Sequence, residues 1–178
     1  MPKASDIRLI VSDVDGVWTD CRIIYVGDDR EIKEFNVRDG LAVKLAQKAG
    51  VPVALITSRH SAALERRARE LGIKELRQSA ASKLDETEKL LQKLGLKFDQ
   101  VLYAGDDLPD IAPMMRAGIS AAPSDAAAEV LGVATWKLTA QGGRGAFREL
   151  VERLLRERGD WEPIVQELIS GKPEAQSI

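Results

Sequence analysis

Two clusters of acidic residues each follow a short apolar run, and their chemistry suits a hard metal ion. Asp13 and Asp15 come directly after the run that ends at Ser12, and Gly16 follows them. Two carboxylates this close repel each other and raise each other's pKa unless a cation lies between them. Mg²⁺ prefers oxygen ligands of this kind. Asp and Gly are also common in ordinary turns after strands, so this pair alone carries modest weight.

The second acidic cluster contains Asp106, Asp107 and Asp110, and it also follows an apolar run. In an open parallel sheet the carboxyl ends of the strands share one edge, and ligands bind there. We therefore expect the five carboxylates of the two clusters to converge on one edge of a sheet and to bind Mg²⁺. Neither cluster has the ligand spacing of a calcium-binding EF-hand loop.

Hydroxyl and cationic side chains occur at two further places where a strand ends or a helix begins. Thr57 ends an apolar run and is followed by Ser58 and Arg59, while Lys83 starts a predicted helix. Each is, alone, typical of an ordinary strand end or protein surface. Together they offer a hydroxyl, backbone N–H groups and an ammonium to an anion. With the acidic clusters, they are the parts needed to displace a phosphoryl group through an aspartyl phosphate.

Composition excludes several other kinds of chemistry. The chain has 178 residues, 44% of them apolar, with 28 Asp and Glu against 26 Lys and Arg, which is typical of a single globular domain over residues 1–178. One cysteine, Cys21, and one histidine, His60, allow neither an internal disulfide nor a Cys/His zinc site. We expect Cys21 to be a small apolar filler and His60 a surface residue. Without a membrane-spanning run or a secretion signal, a soluble cytoplasmic protein is expected.

The alternation of apolar runs and amphipathic segments predicts the elements that position these residues. Predicted strands alternate with helices that begin near Asp39, Ser61 and Ser82, and two more helices follow near the C-terminus. Short connections imply parallel strands with right-handed crossovers, so the predicted fold is an α/β three-layer sandwich with a doubly wound parallel sheet. The strands are predicted over residues 7–12, 51–57, 101–105 and 119–122, and the C-terminal helices over 146–158 and 161–169.

One segment interrupts this alternation. Two short apolar stretches flank Gly27-Asp28-Asp29, which predicts a β-hairpin inserted over about residues 19–38. The insertion is either an extra edge of the sheet, packed on its own core, or a lid or subunit contact. The tail over about residues 170–178 contains Gly, Pro and Ser and is predicted to be flexible.

The order of these motifs resembles the haloacid dehalogenase superfamily of phosphohydrolases, and within it the 3-deoxy-D-manno-octulosonate 8-phosphate (KDO 8-phosphate) phosphatase family. The resemblance runs from about residue 7 to residue 155. It rests on the stretches Ser12-Asp13-Val14-Asp15-Gly16-Val17, Phe35-Asn36-Val37-Arg38-Asp39-Gly40, Ile56-Thr57-Ser58-Arg59, Ala104-Gly105-Asp106-Asp107-Leu108-Pro109-Asp110 and Gly142-Gly143-Arg144-Gly145-Ala146.

The resemblance implies a fold, a substrate class and an assembly. The fold is a Rossmann-like core in which a small hairpin takes the place of a large cap domain. The activity is Mg²⁺-dependent hydrolysis of a small phosphorylated sugar acid in lipopolysaccharide precursor synthesis. The assembly is a homotetramer whose hairpins cover neighbouring active sites.

The resemblance also implies roles for single residues. Asp13 is the implied nucleophile and Asp15 the implied general acid and base. The implied Mg²⁺ ligands are Asp13, the backbone carbonyl of Asp15, and Asp106. Thr57 and Lys83 are implied to neutralise the phosphoryl oxygens. Asp107 or Asp110 is implied to orient Lys83 or a metal-bound water, and which of the two does which stays open.

The substrate's carboxylate requires a cationic group beyond those that serve the phosphate, and the planar fork of Arg suits it. The candidates are Arg59, Arg144 and Arg67, with Ser58 standing where the family usually has glycine. Two alternatives stay open. One is a related phosphatase acting on 9-phosphates of sialic acid or KDN type. The other is a phospho-acceptor receiver module, which also carries acidic residues, a Thr or Ser and a Lys on a parallel sheet.

Overall fold

Six parallel strands form one sheet in a computed structural model that describes residues 3–27 and 30–171. Two further strands form a separate antiparallel hairpin. In chain order the strands are β1 (Leu9–Ser12), β2 (Ile24–Val26), β3 (Arg30–Ile32), β4 (Val53–Ile56), β5 (Glu75–Arg77), β6 (Val101–Ala104), β7 (Ile119–Ala122) and β8 (Trp136–Lys137). The order across the main sheet is β5-β4-β1-β6-β7-β8, so β1 lies in the interior of the sheet between β4 and β6.

Seven helices cover the sheet and connect its strands within the described part of the chain. None of them is long and apolar enough to cross a membrane. In chain order they are α1 (Val37–Lys48), α2 (Ala62–Leu71), α3 (Lys83–Leu94), α4 (Ile111–Arg116), α5 (Ala128–Val133), α6 (Ala146–Arg158) and α7 (Trp161–Ser170).

The two faces of the sheet bury two separate cores. Successive residues of a strand point to opposite faces, so Ile10 packs with the buried residues of α1 and α6, whereas Leu9 and Val11 pack with those of α3 and α4. A sheet that is covered on both faces carries continuous apolar strands, as β1 and β4 do. The predicted α/β three-layer fold with a parallel sheet is confirmed.

The start of α1 differs from the prediction. Its N-cap is Asn36, whose side chain accepts a hydrogen bond from the backbone N–H of Arg38. Asp39, near which the helix is predicted to begin, lies in the first turn, where it is buried and accepts a hydrogen bond of 2.7 Å from the backbone N–H of Arg148. A residue in the first turn can therefore resemble a cap in sequence while serving the neighbouring helix α6. The predicted helix starts near Ser61 and Ser82 are confirmed, and both serines are N-caps.

The hairpin does not extend the main sheet, because β2 and β3 pair only with each other. The interpretation as an extra sheet edge is therefore wrong. Its apolar side chains Ile23, Tyr25 and Ile32 are exposed in the single chain, whereas Phe35 packs against the core. The predicted tail is helical at Ser170, the last residue of α7, and its residues 172–178 lie outside the described part of the chain.

Candidate active site

The candidate active site lies at the carboxyl ends of three adjacent strands. Asp13 follows β1, Thr57 follows β4, and Asp106 lies just beyond the end of β6. The chain leaves β1 toward β4 on one side and reaches β6 on the other, and this change of direction opens a crevice at the strand ends. Thr57 is buried and its N–H donates to the carbonyl of Arg77, so its position is fixed by the neighbouring strand β5.

Three of the five acidic residues meet at this edge. Carboxylate oxygens of Asp13, Asp106 and Asp110 lie within 4.8 Å of one another, and we call this group the carboxylate cluster. The other two acids do not join it. Because β1 ends at Ser12, strand geometry does not continue to Asp15. Asp107 instead caps the short turn after β6, accepting a hydrogen bond of 2.8 Å from the N–H of Leu108.

Lys83 places one positive charge against the carboxylate cluster. Its Nζ lies 2.9 Å from Asp13 Oδ1 and 2.8 Å from Asp110 Oδ1, and all three side chains are buried. Burial lowers the pKa of Lys83, but the two carboxylates outweigh it and raise that pKa above its ordinary value. Ser82, the N-cap of α3, sets the start of the helix at this residue. One ammonium cannot neutralise three carboxylates.

The remaining negative charge appears in the pKa values of the cluster. Burial and the neighbouring Asp110 raise the pKa of Asp13 to about 6, although Lys83 opposes them. Burial and the charges of Asp13 and Asp110 raise the pKa of Asp106 to about 8. In addition, Asp106 Oδ1 is buried without a hydrogen-bond partner among residues 3–27 and 30–171. A divalent cation would lower both raised pKa values and give the unpartnered oxygen a ligand, so these residues fit Mg²⁺.

Asp110 connects the cluster to the interior of the protein. Its Oδ1 accepts hydrogen bonds from Lys83 and, at 2.9 Å, from the hydroxyl of Tyr103, while Oδ2 faces the N–H groups of Asp106 and Asp107. Between the two candidates for orienting Lys83, it is therefore Asp110 that touches it here. Tyr103 is not among the residues predicted for the site, although a tyrosine in a buried strand requires a partner for its hydroxyl.

Two charged residues of the hairpin take part in an ion-pair network around Asp15. Lys33 bonds to the carboxylate of Asp15, and Glu31 bonds to Arg59, whose Nε lies 3.8 Å from Asp15 Oδ2. Thr19 donates a hydrogen bond of 3.1 Å to Asp15 Oδ1. Lys33 and Glu31 are not among the residues predicted for the site, because charged residues in a hairpin ordinarily face solvent and nothing in the sequence shows where the hairpin folds.

A glycine loop, residues 142–145, presses on the catalytic loop, residues 13–19. A Cβ built on Gly142 would stand 2.0 Å from the carbonyl oxygen of Gly16, and the N–H of Gly143 donates to the carbonyl of Val17. Trp18 is buried below, stacked on Phe147 of α6 with ring centroids 4.3 Å apart. Only glycine allows this approach of two backbones. The loop therefore braces the catalytic loop from the side of α6.

The remaining candidate substrate ligands lie at different distances from the cluster. Ser58 is exposed at the end of β4. Arg144 is exposed and its Nη2 lies 3.6 Å from Asp20, beyond the catalytic loop. Arg67 lies on α2, where its guanidinium packs against Gly40 of α1. Arg59, in contrast, forms an ion pair with Asp15.

The prediction that Cys21 is an apolar filler is wrong, and the prediction that His60 is a surface residue is confirmed. Cys21 is exposed, has a positive φ of 62°, and its Sγ lies 3.6 Å from Asp106 Oδ2, so it is not an apolar filler. Partial desolvation of the thiol and the charge of Asp106 raise its pKa to about 12, which disfavours the nucleophilic thiolate. His60 is a surface residue beside Glu65.

Comparisons with known proteins agree with this site. The sequence profile of the haloacid dehalogenase-like hydrolases matches residues 25–118. The 3-deoxy-D-manno-octulosonate 8-phosphate phosphatase of Escherichia coli strain BL21 is 41% identical over 160 residues, which cover 89% of this chain and 85% of the relative.

Two solved structures extend the comparison. A probable phosphatase of the YrbI family from Pseudomonas syringae is 42% identical with a TM-score of 0.92, covering 95% of this chain and 96% of the other. The 3-deoxy-D-manno-octulosonate 8-phosphate phosphatase of Moraxella catarrhalis, solved with a magnesium ion, a phosphate ion and KDO, is 35% identical with a TM-score of 0.90, covering 93% and 95%. Identity at this level over nearly the whole chain decides against the receiver alternative. The chain belongs to the 3-deoxy-D-manno-octulosonate 8-phosphate phosphatase family of haloacid dehalogenase-like hydrolases.

Proposed function

We propose that this protein is a Mg²⁺-dependent phosphatase that hydrolyses 3-deoxy-D-manno-octulosonate 8-phosphate to the free sugar acid and phosphate. The observation that carries the proposal is the buried carboxylate cluster with Lys83 at the carboxyl edge of the sheet. It occurs in a chain that is 41% identical to phosphatases of this specificity. A cluster with excess negative charge requires a cation, and a cation beside a nucleophilic carboxylate serves phosphoryl transfer.

Asp13 performs the first step of the proposed reaction. Lys83 holds Oδ1 of Asp13 at 2.9 Å, which leaves Oδ2 to attack phosphorus. The new bond joins this oxygen to phosphorus while the ester bond to the sugar oxygen breaks. The ammonium of Lys83 and the hydroxyl of Thr57 neutralise charge on the phosphoryl oxygens.

Asp15 moves the protons of both steps. It gives a proton to the departing sugar oxygen and then takes one from the water that attacks the aspartyl phosphate, which restores Asp13 and releases phosphate. Mg²⁺ would be held by Asp13, the backbone carbonyl of Asp15 and Asp106, and when bound it supplies positive charge to the phosphoryl group. Asp110 orients Lys83 in this scheme, through the contact of 2.8 Å.

The other end of the substrate carries a carboxylate, and we assign it to an arginine. Arg59 is the first candidate because it lies beside Asp15, and Arg144 and Arg67 are the others. Replacement of Arg59 or Arg144 by Ala should raise KM for the sugar acid phosphate about 10-fold or more, since a charge-assisted pair contributes about 1.5–3 kcal/mol. Hydrolysis of a small aryl phosphate should change much less. Equal losses on both substrates would assign these arginines to the phosphate or to the fold.

Phosphate release from a panel of sugar phosphates tests the function directly. We expect rapid multiple turnover of octulosonate 8-phosphate, loss of activity in excess chelator, recovery with Mg²⁺, and competition by Ca²⁺, which accepts more oxygen ligands and misplaces the nucleophile. Better turnover of a sialic acid 9-phosphate would move the assignment to that related activity. Full activity in excess chelator would contradict the proposal.

We also propose that the protein assembles as a homotetramer in which hairpins cover neighbouring active sites. What supports this is the exposed apolar surface of the hairpin and of the start of α1, which a single chain leaves uncovered. Its residues are Ile23, Ile24, Tyr25, Ile32, Val37 and Leu41. The cytoplasmic location and the single domain over residues 1–178 stay predictions from the sequence.

A further inference from the structure

Lys33 is a buried lysine whose described partners are carboxylates. It lies one residue beyond β3, at the end of the hairpin, and only 3% of its side chain is exposed. Its Nζ contacts Asp15 Oδ1 and lies 3.3 Å from Glu31 Oε1. Lysine is rarely buried without an ionic partner, because loss of hydration is unfavourable for the ammonium. The two carboxylates therefore hold this charge inside the site, beside the proposed acid and base.

The two oxygens of Asp15 have different surroundings. Oδ1 accepts hydrogen bonds from Lys33 and from the hydroxyl of Thr19. Oδ2 is buried and has no hydrogen-bond partner in the described part of the chain, and Arg59 Nε stands 3.8 Å from it. Because the two carboxylate oxygens are chemically equivalent, these contacts set the plane of the carboxylate and leave one oxygen facing away from Lys33 and Thr19. The carboxylate is thus fixed in one orientation.

We propose that Lys33 is a positioning residue for Asp15, and this inference rests on the proposed function, in which Asp15 transfers protons. By binding Oδ1 together with Thr19, Lys33 leaves Oδ2 as the oxygen that gives a proton to the departing sugar oxygen. The same oxygen then accepts a proton from the attacking water. Lys33 itself neither gives up its proton nor forms a bond to the substrate.

The hairpin is what brings Lys33 to Asp15. Glu31 lies on the same hairpin and contacts both Lys33 and Arg59, so two residues of the insertion bind two residues of the main domain. The orientation of the Asp15 carboxylate therefore depends on the hairpin being in place. In a fold that has only a small insertion over its sheet, this ion-pair network fixes a proton-transfer group that would otherwise rotate.

The test compares two substrates that differ in their need for a proton. An alkyl phosphate such as octulosonate 8-phosphate leaves as an alkoxide that must be protonated, whereas 4-nitrophenyl phosphate leaves as a stable phenolate. For Lys33→Met we expect kcat on the sugar phosphate to fall about 10- to 100-fold, part of the roughly 10²–10⁴-fold that general acid catalysis contributes, with a far smaller loss on the aryl phosphate. Lys33→Arg, which keeps the charge and the donors, should recover most of the activity.

The matched control is Lys89→Met, since Lys89 is exposed on α3 and pairs only with the nearby Glu86 among its described contacts. It should behave as the wild type on both substrates. If Lys33→Met fails to fold, as judged by circular dichroism, Thr19→Val removes the other donor to Oδ1. This variant should also lose more activity on the sugar phosphate than on the aryl phosphate.

A double variant separates positioning from general damage. If Lys33 acts through Asp15, Lys33→Met in an Asp15→Asn background should cost no further activity on the sugar phosphate, because the group that it positions is already lost. Fully additive losses, or equal losses on the two substrates, would overturn the inference. If the wild type hydrolyses 4-nitrophenyl phosphate but not octulosonate 8-phosphate, the proposed substrate is wrong, and the same comparison is made with another alkyl phosphate that it hydrolyses.

Discussion

Gly16 and Asp106 lie so close that a Cβ built on Gly16 would stand 1.9 Å from Asp106 Oδ2. Gly16 also has a φ of +100°, a conformation that other residues adopt only with strain. The catalytic loop and the carboxylate cluster therefore share a space in which there is room for a hydrogen atom and no more. Glycine is therefore required at this position for two reasons, the positive φ of the turn and the space that the Asp106 carboxylate occupies.

Gly16→Ala should abolish Mg²⁺-dependent activity, because the added methyl group displaces the Asp106 carboxylate. The matched control is Gly132→Ala in α5, where no heavy atom lies within 4 Å of the added Cβ. That variant should keep full activity and gain about 0.5–1 kcal/mol of stability from the lower backbone entropy of alanine. Phosphate release and thermal unfolding measure both effects, and an active Gly16→Ala variant would contradict the close approach.

Asp13→Asn should remove essentially all activity, and Asp15→Asn should cost at least about 100-fold on the sugar phosphate, because nucleophile and acid/base act as one unit. Both variants should fold, which circular dichroism checks. Activity of Asp13→Asn above a tenth of the wild type would rule out the aspartyl phosphate.

Tyr103→Phe should destabilise the protein by about 1.5–3 kcal/mol, the range for hydrogen bonds to charged groups, because it removes the hydroxyl that lies 2.9 Å from Asp110. Lys83 then depends on a carboxylate held by fewer donors, so kcat should fall as well. Urea unfolding measures the first effect and steady-state kinetics the second. An unchanged free energy of unfolding would show that the bond to Asp110 contributes nothing.

The metal-free protein should lose stability as the pH rises from about 4 to about 8. Burial, together with Asp13 and Asp110, raises the pKa of Asp106 from 3.8 to about 8, so over this range the folded state keeps a proton that the unfolded chain has released. The raised pKa of Asp13, to about 6, acts in the same direction at the lower end. Thermal unfolding in chelator should show the trend, Asp106→Asn should flatten it, and Mg²⁺ should restore stability near pH 8. A melting temperature that rises steadily over this range would contradict the prediction.

Light scattering at micromolar concentration should give the mass of a tetramer. A hairpin variant with Tyr25→Ser and Ile32→Ser, two of its exposed apolar residues, should shift the mass toward smaller species because it removes apolar surface from the proposed contact. A fully active wild-type monomer would show that the hairpin serves only its own chain.

The sequence allowed some parts of this structure to be predicted and not others, for physical reasons. The interior strands β1, β4, β6 and β7 are buried on both faces and therefore carry continuous apolar runs. The edge strands β5 and β8 have three and two residues and no such run, so they were missed. The short helices α4 and α5, of six residues each, were missed because they show too little periodicity.

The residues of the site, too, could be predicted from the sequence only in part. Asp13, Lys83 and Asp106 could be predicted because each stands where a strand ends or a helix begins. Lys33 could not, because its burial depends on where the hairpin folds, and a lysine near a polar turn has the pattern of a solvated residue. The convergence of five acids on one edge was too broad a prediction. Only the acids that turn inward from β1 and β6 form the cluster.

The glycine loop at residues 142–145 touches the catalytic loop at residues 13–19, so the site joins two segments that lie far apart in the chain. Asp13, the proposed nucleophile, is synthesised well before β6, which precedes Asp106, and before the loop that packs against Gly16. A nascent or truncated chain that ends before residue 145 therefore has its nucleophile without a complete site around it. We therefore expect a chain truncated before residue 145 to lack phosphatase activity, because nothing then packs against Gly16 and Val17 from the side of α6.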